Sequence, residues 1–379
     1  ADVVRIDAPN GHYAESPKPF FGDQTDPNRS LYRWHYHTNK RSILLDIQSA
    51  SDRKLFDSLL SVADVLVDTY RPSEAADLGL DGPGIRQNHP ALVHTSITGF
   101  GADGPRADYK ATDIVALAMS GLMAITGFPE DPPNQIGGEQ AYHMASMHAA
   151  VGTLMALLAR DLDGVGRDVG IAMQDATSMA ILQTANFNQY TWHGIVRSRI
   201  GNGEMKGLIP QSVYACKDGW VVHSFWNSPS NWHNFVTWLT CYDAQEELAE
   251  PRFEDPRVRE EELGRINEVL SDFVAQHTAQ ELYHSAQRLD LLCVPVQNVD
   301  DFMEDEQLRD RSWFIDVEHP ELGLTFTYPG APYKLSETPW QVNRRAPLIG
   351  EDTHNVLTDW LGMAPDAVTE LLAGRLSND

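Results

Sequence analysis

The first part of the chain alternates short runs of β-branched residues with stretches that place apolar residues at helical spacing. "VVRID", "SILLDI", "DVLVDTY" and "ALVHTSITGFG" are typical of strands. Between the second and third runs, "SASDRKLFDSLLSVA" puts Leu55, Leu59 and Val62 on one helical face. Ser51 or Asp52 can cap that helix. Strands that alternate with helices in this way predict a parallel α/β sheet.

Helices dominate the middle of the chain, with one over "ATDIVALAMSGLMAITG" and a long one from Glu139 to Leu162. Short strands and Trp-rich, acidic helices follow. "SWFIDVEHPELGLTFTYPG" is typical of a hairpin, and the C-terminus is predicted to be helical from Thr353. The composition changes after residue 200, which indicates an insertion. The sequence therefore predicts a large domain in two parts and a smaller domain between them: 1–202, 301–379 and 203–300.

Composition argues against several classes of protein. The chain has 54 acidic and 29 basic residues, a net charge of -25, so neither nucleic acid nor an anionic membrane is an expected partner. No apolar run reaches about eighteen residues, and "ADVVRIDAPNG" lacks the pattern of a secretory signal, so no membrane span is predicted. Three widely spaced cysteines without a CxxC motif favour a reducing cytoplasm over a disulfide framework.

Two short motifs carry little weight. "GFGADG" (99–104) satisfies GxGxxG after a strand, but Pro105 and a polar stretch follow it, so a glycine-rich turn is favoured over a dinucleotide site. "HYH" can place His35 and His37 on one face of a strand. Because no third ligand has suitable spacing, packed or exposed histidines are favoured, and no metal site is predicted. No P-loop, GxSxG or HExxH motif occurs.

An ordered series of longer strings is more specific. "TNKRSILLDI", "ADVLVDTYRP", "DLGLDG" and "NHPALVHTSITGFGADGP" are followed by "DIVALAMSGLMAITG", "PP", "ALLARDLDGVGRDVGIAMQDA" and "RRAPLIGEDTHNVL". With these strings in this order, the chain resembles the family III CoA-transferases. That group contains formyl-CoA, carnitine and benzylsuccinate CoA-transferases and the α-methylacyl-CoA racemases. The likeness spans nearly the whole chain apart from the more variable stretch 200–330.

The resemblance implies an α/β fold with a Rossmann-like large domain around a parallel sheet and an inserted smaller α+β domain. It also implies two interlocked subunits, threaded through each other like links of a chain. CoA thioesters and carboxylic acids are the implied substrates, with no covalently bound cofactor. Family members usually open with one further strand and helix before the "ADV" strand, which leaves the first layer of the sheet and part of the CoA cleft unaccounted for.

The resemblance also implies individual CoA contacts. Leu45 falls where the family packs a side chain on the adenine, and Tyr70 matches a further contact with the nucleotide. Lys40 and Arg41 supply positive charge that a phosphate-bearing ligand needs in so acidic a protein. Without the resemblance, core packing would be favoured for the apolar members of the set. The implied CoA-binding set is Lys40, Leu45, Tyr70, Arg71, Leu78, Lys110 and Met173.

One position departs from the family pattern. The implied transfer begins when an aspartate attacks the thioester to form an acyl anhydride, then an aspartyl-CoA thioester that passes CoA to the acceptor acid. The resemblance places that aspartate ten residues before Gly152, where this chain has Tyr142. A phenol cannot form the anhydride. The usual mechanism is therefore not expected from this chain alone.

Three alternatives stay open. Glu139, about one helical turn before Tyr142, can serve as nucleophile in a homomeric enzyme, although an acid there also favours the helix dipole. The chain can instead be a subunit that works with an aspartate-bearing partner, which we favour, or a non-catalytic acyl-CoA-binding protein. Racemase chemistry is disfavoured because Thr112 stands where the histidine before "DI" is expected. Neither His143 nor His148 replaces that histidine by position.

Overall fold

The computed structural model describes residues 1–9, 18–179, 187–199, 201, 208–209 and 213–376. The chain divides into two compact units, each made of separate chain segments. Unit 1 comprises Ala1–Thr112, Ala141–Ala176 and Asp305–Asp379, and unit 2 comprises Asp113–Gln140 and Thr177–Glu304. The predicted domain boundaries at 202 and 300 stay a prediction.

The described residues contain eleven strands, numbered in chain order. They are β1 (Val4–Asp7), β2 (Arg41–Leu44), β3 (Val65–Asp68), β4 (Val93–Thr98), β5 (Asp168–Ala172), β6 (Leu208–Ile209), β7 (Val213–Cys216), β8 (Gly219–Trp226), β9 (Leu292–Pro295), β10 (Phe314–His319) and β11 (Leu324–Pro329).

Sixteen α-helices lie in the same described residues. They are α1 (Leu31–His37), α2 (Ala50–Val62), α3 (Pro72–Asp77), α4 (Gly82–Asn88), α5 (Asp113–Met119), α6 (Gln140–Asp163), α7 (Met173–Met179), α8 (Phe187–His193), α9 (Pro229–Thr240), α10 (Pro256–Glu261), α11 (Leu263–Ala275), α12 (Ala279–Gln287), α13 (Val299–Glu304), α14 (Glu306–Asp310), α15 (Thr353–Leu361) and α16 (Pro365–Leu376). Short 3-10 helices lie at Phe21–Asp23, Pro27–Arg29, Met123–Ile125, Glu246–Ala249 and Pro251–Glu254.

The first five strands, all in unit 1, pair in parallel. β1 pairs with β2, and β3, β4 and β5 form a sheet in that order, with His94 opposite Asp168. Parallel neighbours need crossover connections: α1 lies between β1 and β2, α3 and α4 lie between β3 and β4, and α5 and α6 lie between β4 and β5. The predicted parallel α/β layering is confirmed. β10 and β11 form the predicted antiparallel hairpin, with Phe314 opposite Pro329.

The main apolar cluster of unit 1 joins β2 to the helices α2 and α15. Ile43, Phe56 and Val356 are almost fully buried there, and Leu59 of the predicted helical face is buried with them. Val62 was predicted on the same face, but it is 55% exposed because it lies in the last turn of α2. The predicted helix is therefore confirmed for all three residues, and its last one is exposed.

Two local predictions in unit 1 were wrong. Ser49, rather than Ser51 or Asp52, caps α2: it has extended backbone angles, and its hydroxyl accepts a hydrogen bond from the Asp52 N–H at 3.3 Å. His35 and His37 lie in helix α1 instead of a strand. Residues two apart on a helix point about 200° apart, so the two imidazoles do not share a face.

The segment "GFGADG" after β4 is a turn, as predicted. The next helix, α5, begins only at Asp113, so no helix N-terminus follows the glycines directly. The Gly99 carbonyl accepts a hydrogen bond from the Gln174 N–H at 3.1 Å, which ties this turn to the first residues of α7.

Unit 2 packs antiparallel strands on tryptophan-rich helices. β8 pairs with β6, β7 and β9. Trp232 and Trp238 of α9 and Phe273 of α11 are almost completely buried in one cluster. Arg259 is also fully buried, 5.1 Å from the Trp232 ring, and it donates to Asn227 Oδ1 at 2.6 Å. The guanidinium is thus held by a cation–π contact and by hydrogen bonds instead of solvent.

His223 of β8 predicts a pH dependence of stability. The ring is fully buried and stacks on Trp238, with centroids 5.6 Å apart, and burial lowers the pKa of His223 to about 3. Between about pH 3 and 6.5 the unfolded chain binds a proton that the folded chain does not, so stability rises with pH, by up to about 1.4 kcal/mol per pH unit. Urea unfolding at pH 4 to 7 measures this slope. His223→Phe, which cannot titrate, is the control, and equal slopes for the two proteins would refute the assignment.

Candidate functional site

The turn that follows β3 presents an aromatic and a basic side chain at the carboxyl end of the strand. Asp68 ends β3, and its Oδ1 accepts a hydrogen bond from the Tyr70 N–H at 3.0 Å. Arg71 precedes α3, and its N–H donates to Glu74 Oε2 at 3.1 Å. Pro72 follows at the first helical position, where its missing N–H leaves no bond unmade. The backbone of the turn is therefore fixed on both sides of Tyr70.

Tyr70 is 37% exposed, so its ring is available to a ligand. Burial of the rest of the side chain, with the nearby charges of Asp68 and Glu74, raises the pKa of Tyr70. The phenol is therefore neutral at physiological pH. It can stack on a base or exchange hydrogen bonds without repelling a phosphate group.

Arg71 lies beside Tyr70 but already has a carboxylate partner. Its guanidinium pairs with Glu74, and it also donates to the Asp108 carbonyl at 3.4 Å. The hydrogen bond to Glu74 raises the pKa of Arg71, and the same bond lowers the pKa of Glu74. A phosphate bound by Arg71 would have to share it with Glu74.

The apolar members of the implied set differ in exposure. Leu45 is 1% exposed and belongs to the main cluster of unit 1, and Met173 is also buried. Leu78 is partly buried and packs against that cluster, while its carbonyl accepts a hydrogen bond from Arg53. The side chains of Leu45 and Met173 thus act as core in this structure. CoA contacts by these three residues stay a prediction.

The basic members also differ. Lys40 Nζ lies 3.2 Å from His37 Nδ1, and burial, followed by the charge of Arg5, lowers the pKa of Lys40. Burial and the charges of Arg5, Lys40 and Arg33 lower the pKa of His37 to about 2, so His37 is neutral and can accept the Lys40 hydrogen bond. Lys40 is partly buried, and its contact with CoA stays a prediction.

Arg41 and Lys110 present a contrast. Arg41 pairs with Asp2 and, at 3.1 Å, with Asp359, so its charge is largely neutralised. Lys110 is exposed, and within the described part of the chain no carboxylate forms an ion pair with it. Of these two cations, Lys110 is the better placed to bind a phosphate group.

Tyr142 lies in the first turn of the long helix α6 and is partly buried. Ten residues further along the same helix, a Cβ added at Gly152 would lie 2.7 Å from Val169 Cγ1 of β5. That close approach fixes α6 against the strand, and with it the position of Tyr142. The neighbouring His143 places Nε2 3.1 Å from the Tyr36 hydroxyl, so a phenol and an imidazole meet beside Tyr142.

The prediction that the long helix begins near Glu139 is confirmed, but the prediction that Glu139 lies one helical turn before Tyr142 is wrong. α6 begins at Gln140, and Glu139 has a φ of 52°, outside the helical region. Gly138 before it also has a positive φ, and the Gln140 amide donates to the Gly137 and Gly138 carbonyls at 3.2 and 3.3 Å. The turn rather than the helix therefore sets the direction of Glu139. A nucleophilic role for Glu139 stays a prediction.

Sequence reasoning missed a buried polar cluster in the sheet formed by β3, β4 and β5. His94 of β4 is 4% exposed, its Nε2 lies 2.6 Å from Asp68 Oδ2 of β3, and its Nδ1 lies 3.4 Å from Asp168 Oδ1 of β5. Central strands of parallel sheets are usually apolar throughout. A histidine and two aspartates inside the predicted strands were the available signal.

Comparison with known proteins decides the family. The model of CoA-transferase family III matches residues 1–353. The chain belongs to this family. The family assignment predicted from the ordered strings is thus confirmed, and the protein is a CoA-transferase whose family uses CoA thioesters as substrates.

Relatives and a solved structure agree with this assignment. The chain is 32% identical over 368 residues to the succinyl-CoA:(R)-benzylsuccinate CoA-transferase subunit BbsE of Thauera aromatica, covering 95% of this chain and 88% of the relative. It is 30% identical over 376 residues to a formyl-CoA:oxalate CoA-transferase of Streptomyces avermitilis, covering 97% and 90%. A CAIB/BAIF family protein from Brucella suis shares the fold, with a TM-score of 0.82 and 23% identity, covering 95% and 92%.

The described residues contain neither a membrane-spanning helix nor a cluster of metal ligands. None of their helices is both long and apolar enough to span a bilayer. No group of three or more His, Cys, Asp or Glu side chains in the described ranges is arranged to hold a metal ion.

The burial of Leu45 in the unit 1 cluster predicts how its substitution changes the free energy of unfolding. Leu45→Ala should lower the free energy of unfolding by about 2–5 kcal/mol, because it leaves a cavity in the unit 1 cluster. Leu45→Met, which keeps the volume, should cost less than about 1.5 kcal/mol. Urea denaturation measures both. A Leu45→Ala protein as stable as the wild type would show that Leu45 is not a core residue.

Proposed function

We propose that this chain is a subunit of a family III CoA-transferase that moves CoA between two carboxylic acids, and that a homologous partner subunit supplies the aspartate nucleophile. The observation that carries the proposal is Tyr142 in the first turn of α6, ten residues before Gly152. Family resemblance puts the nucleophile at that position. The chain therefore keeps the family's fold while a phenol occupies the place of the reacting carboxylate.

The chemistry of the transfer explains why a tyrosine does not replace an aspartate. A carboxylate that attacks a thioester displaces the CoA thiolate and becomes part of an acyl anhydride. The thiolate can then attack the enzyme's own carbonyl carbon in that anhydride, which releases the donor acid as a carboxylate and leaves an enzyme-bound CoA thioester. A phenol has no carbonyl carbon to receive CoA. Tyr142 can exchange hydrogen bonds with a bound acyl group, but it cannot carry CoA between two acids.

An exposed apolar face on α6 supports the partner subunit. Its residues follow helical spacing and are each more than half exposed in the single chain, which is typical of an interface. The similar chain from Thauera aromatica is itself named as a subunit. A second copy of this chain or a homologous chain, interlocked as the family implies, would cover this face. The residues are Met147, Val151, Leu154, Met155, Leu158 and Leu162.

The turn after β3 is the proposed site for the nucleotide part of CoA. Tyr70 offers a neutral, partly exposed ring at the carboxyl end of the strand, where ligands of open α/β sheets bind. Lys110 offers an exposed positive charge in a chain of net charge -25. An adenine on the ring and phosphates near the lysine would suit CoA.

Three cysteines without a CxxC motif favour action in the cytoplasm.

CoA binding tests the proposed site. Tyr70→Ala should weaken CoA binding by about 1–3 kcal/mol, or about 5- to 150-fold in Kd, because it removes an aromatic contact with the nucleotide. Isothermal titration calorimetry with CoA measures the change. Tyr333→Ala is the matched control, since Tyr333 is another exposed tyrosine of unit 1, and it should bind as the wild type does. Equal affinities for all three proteins would remove Tyr70 from the site.

Activity of the isolated chain tests the missing nucleophile. The protein purified alone should transfer CoA slowly or not at all between acyl-CoA donors and carboxylic acids. Purified from its natural source with a tag, it should bring along an untagged homologous chain that carries the aspartate, and the complex should be active. Glu139→Gln should leave the complex fully active.

Other outcomes separate the alternatives. Rapid transfer by the lone chain, abolished in Glu139→Gln, would establish a homomeric enzyme with a glutamate nucleophile. CoA binding with neither transfer nor a co-purifying partner would establish a non-catalytic acyl-CoA-binding protein.

A further inference from the structure

His94 and Asp68 form a buried polar pair directly behind the proposed CoA site. Asp68 ends β3 and uses both carboxylate oxygens: Oδ2 lies 2.6 Å from His94 Nε2, and Oδ1 accepts from the Tyr70 N–H at 3.0 Å. His94 is on the neighbouring strand β4. The carboxylate is therefore a link between the middle of the sheet and the turn that carries Tyr70.

The far side of His94 faces a second carboxylate without a hydrogen bond to it. Nδ1 lies 3.4 Å from Asp168 Oδ1 on β5, and the other Asp168 oxygen pairs with Arg86 of α4. The short contact is with Asp68, so a neutral His94 is best assigned as the tautomer that donates from Nε2 to Asp68. In this tautomer Nδ1 carries no proton and cannot donate to Asp168, so the hydrogen-bonded series runs from His94 through Asp68 to the Tyr70 amide and spans two strands.

Stability alone does not require this pair. Replacing a buried polar or ionic pair by apolar residues of similar volume is often neutral or stabilising, and central parallel strands are normally apolar. What an apolar pair cannot supply is a fixed hydrogen-bond acceptor at the end of β3. Removing only one member would leave a buried polar group unsatisfied, which destabilises the folded chain.

We infer that His94 is a positioning residue for CoA binding. By donating to Asp68, it holds the carboxylate in the rotamer that accepts the Tyr70 N–H, and so it sets the direction in which Tyr70 leaves the sheet. A turn held in its bound conformation loses less conformational entropy when the ligand binds. The inference rests on the proposed CoA site at Tyr70.

Calorimetry with CoA on three further proteins tests the inference. Asp68→Leu/His94→Leu, apolar at both positions, should fold yet bind CoA about three- to tenfold more weakly, because the turn must be ordered on binding. His94→Gln, whose amide can donate to Asp68 from nearly the same place, should bind within about twofold of the wild type. In a Tyr70→Ala background, the double leucine change should cause no further loss, since it acts through Tyr70.

Each outcome separates this inference from the proposed function. If the wild type does not bind CoA, the proposed site fails and this inference with it. If the wild type binds, and the double leucine protein binds equally well or loses the same factor in both backgrounds, His94 is not a positioning residue although the site stands. Hydrogen exchange of the wild-type Tyr70 amide gives a check without any variant. Slow exchange is expected, and exchange at the rate of an unprotected amide would overturn the inference.

Discussion

The close packing of the chain around the β4–β5 pair is the constraint on which the rest of unit 1 depends. A side chain at Gly152 would collide with Val169, and one at Gly166 would collide with the Leu92 carbonyl. The Gly166 N–H donates to the Pro90 carbonyl at 2.8 Å, so the segment from α6 into β5 lies directly against the approach to β4. Two glycines thus permit the backbone to approach this closely, and the position of α6 follows. The start of that helix, where Tyr142 lies, has little freedom to move.

CoA transfer needs a binding site for CoA and a nucleophile, and these two requirements concern different parts of unit 1. The turn after β3 offers a neutral ring and a backbone fixed by Asp68, which are features of a binding site. The start of α6 offers Tyr142, next to the hydrogen-bonded His143 and Tyr36, without a carboxylate in the first turn of the helix. Binding without a nucleophile is the pattern expected of a subunit whose partner completes the reaction, and the exposed apolar face of α6 is where a partner would pack.

Much of the fold was predictable from the sequence because it depends on periodic patterns. The parallel strands, the helix after β2, the turn at "GFGADG" and the β10–β11 hairpin all follow from alternation and turn residues. The residues at which individual helices begin were less predictable. Ser49 caps α2 and Gln140 begins α6, each one to three residues from the predicted position, because backbone angles rather than residue type decide where a helix begins.

The candidate site was harder to predict. Leu45 was assigned to a ligand by resemblance, whereas its burial depends on helices α2 and α15 from distant parts of the chain. The contact of His94 with Asp68 and Asp168 depends on strand register, which no short motif encodes. The apolar spacing of α6 predicts a helix but does not distinguish a core face from a subunit interface. Such features arise from packing between segments that are far apart in sequence.

Locating the covalent intermediate is the most direct test of whether a partner subunit supplies the nucleophile. The complex purified from its natural source is mixed with an acyl-CoA donor, trapped during turnover with hydroxylamine or borohydride, and digested for peptide mass analysis. If the partner subunit supplies the nucleophile, the mass changes on one of its aspartates, and peptides containing Glu139 and Tyr142 from this chain are unmodified. A changed mass on Glu139 of this chain, with the partner unmodified, would contradict that role of the partner subunit.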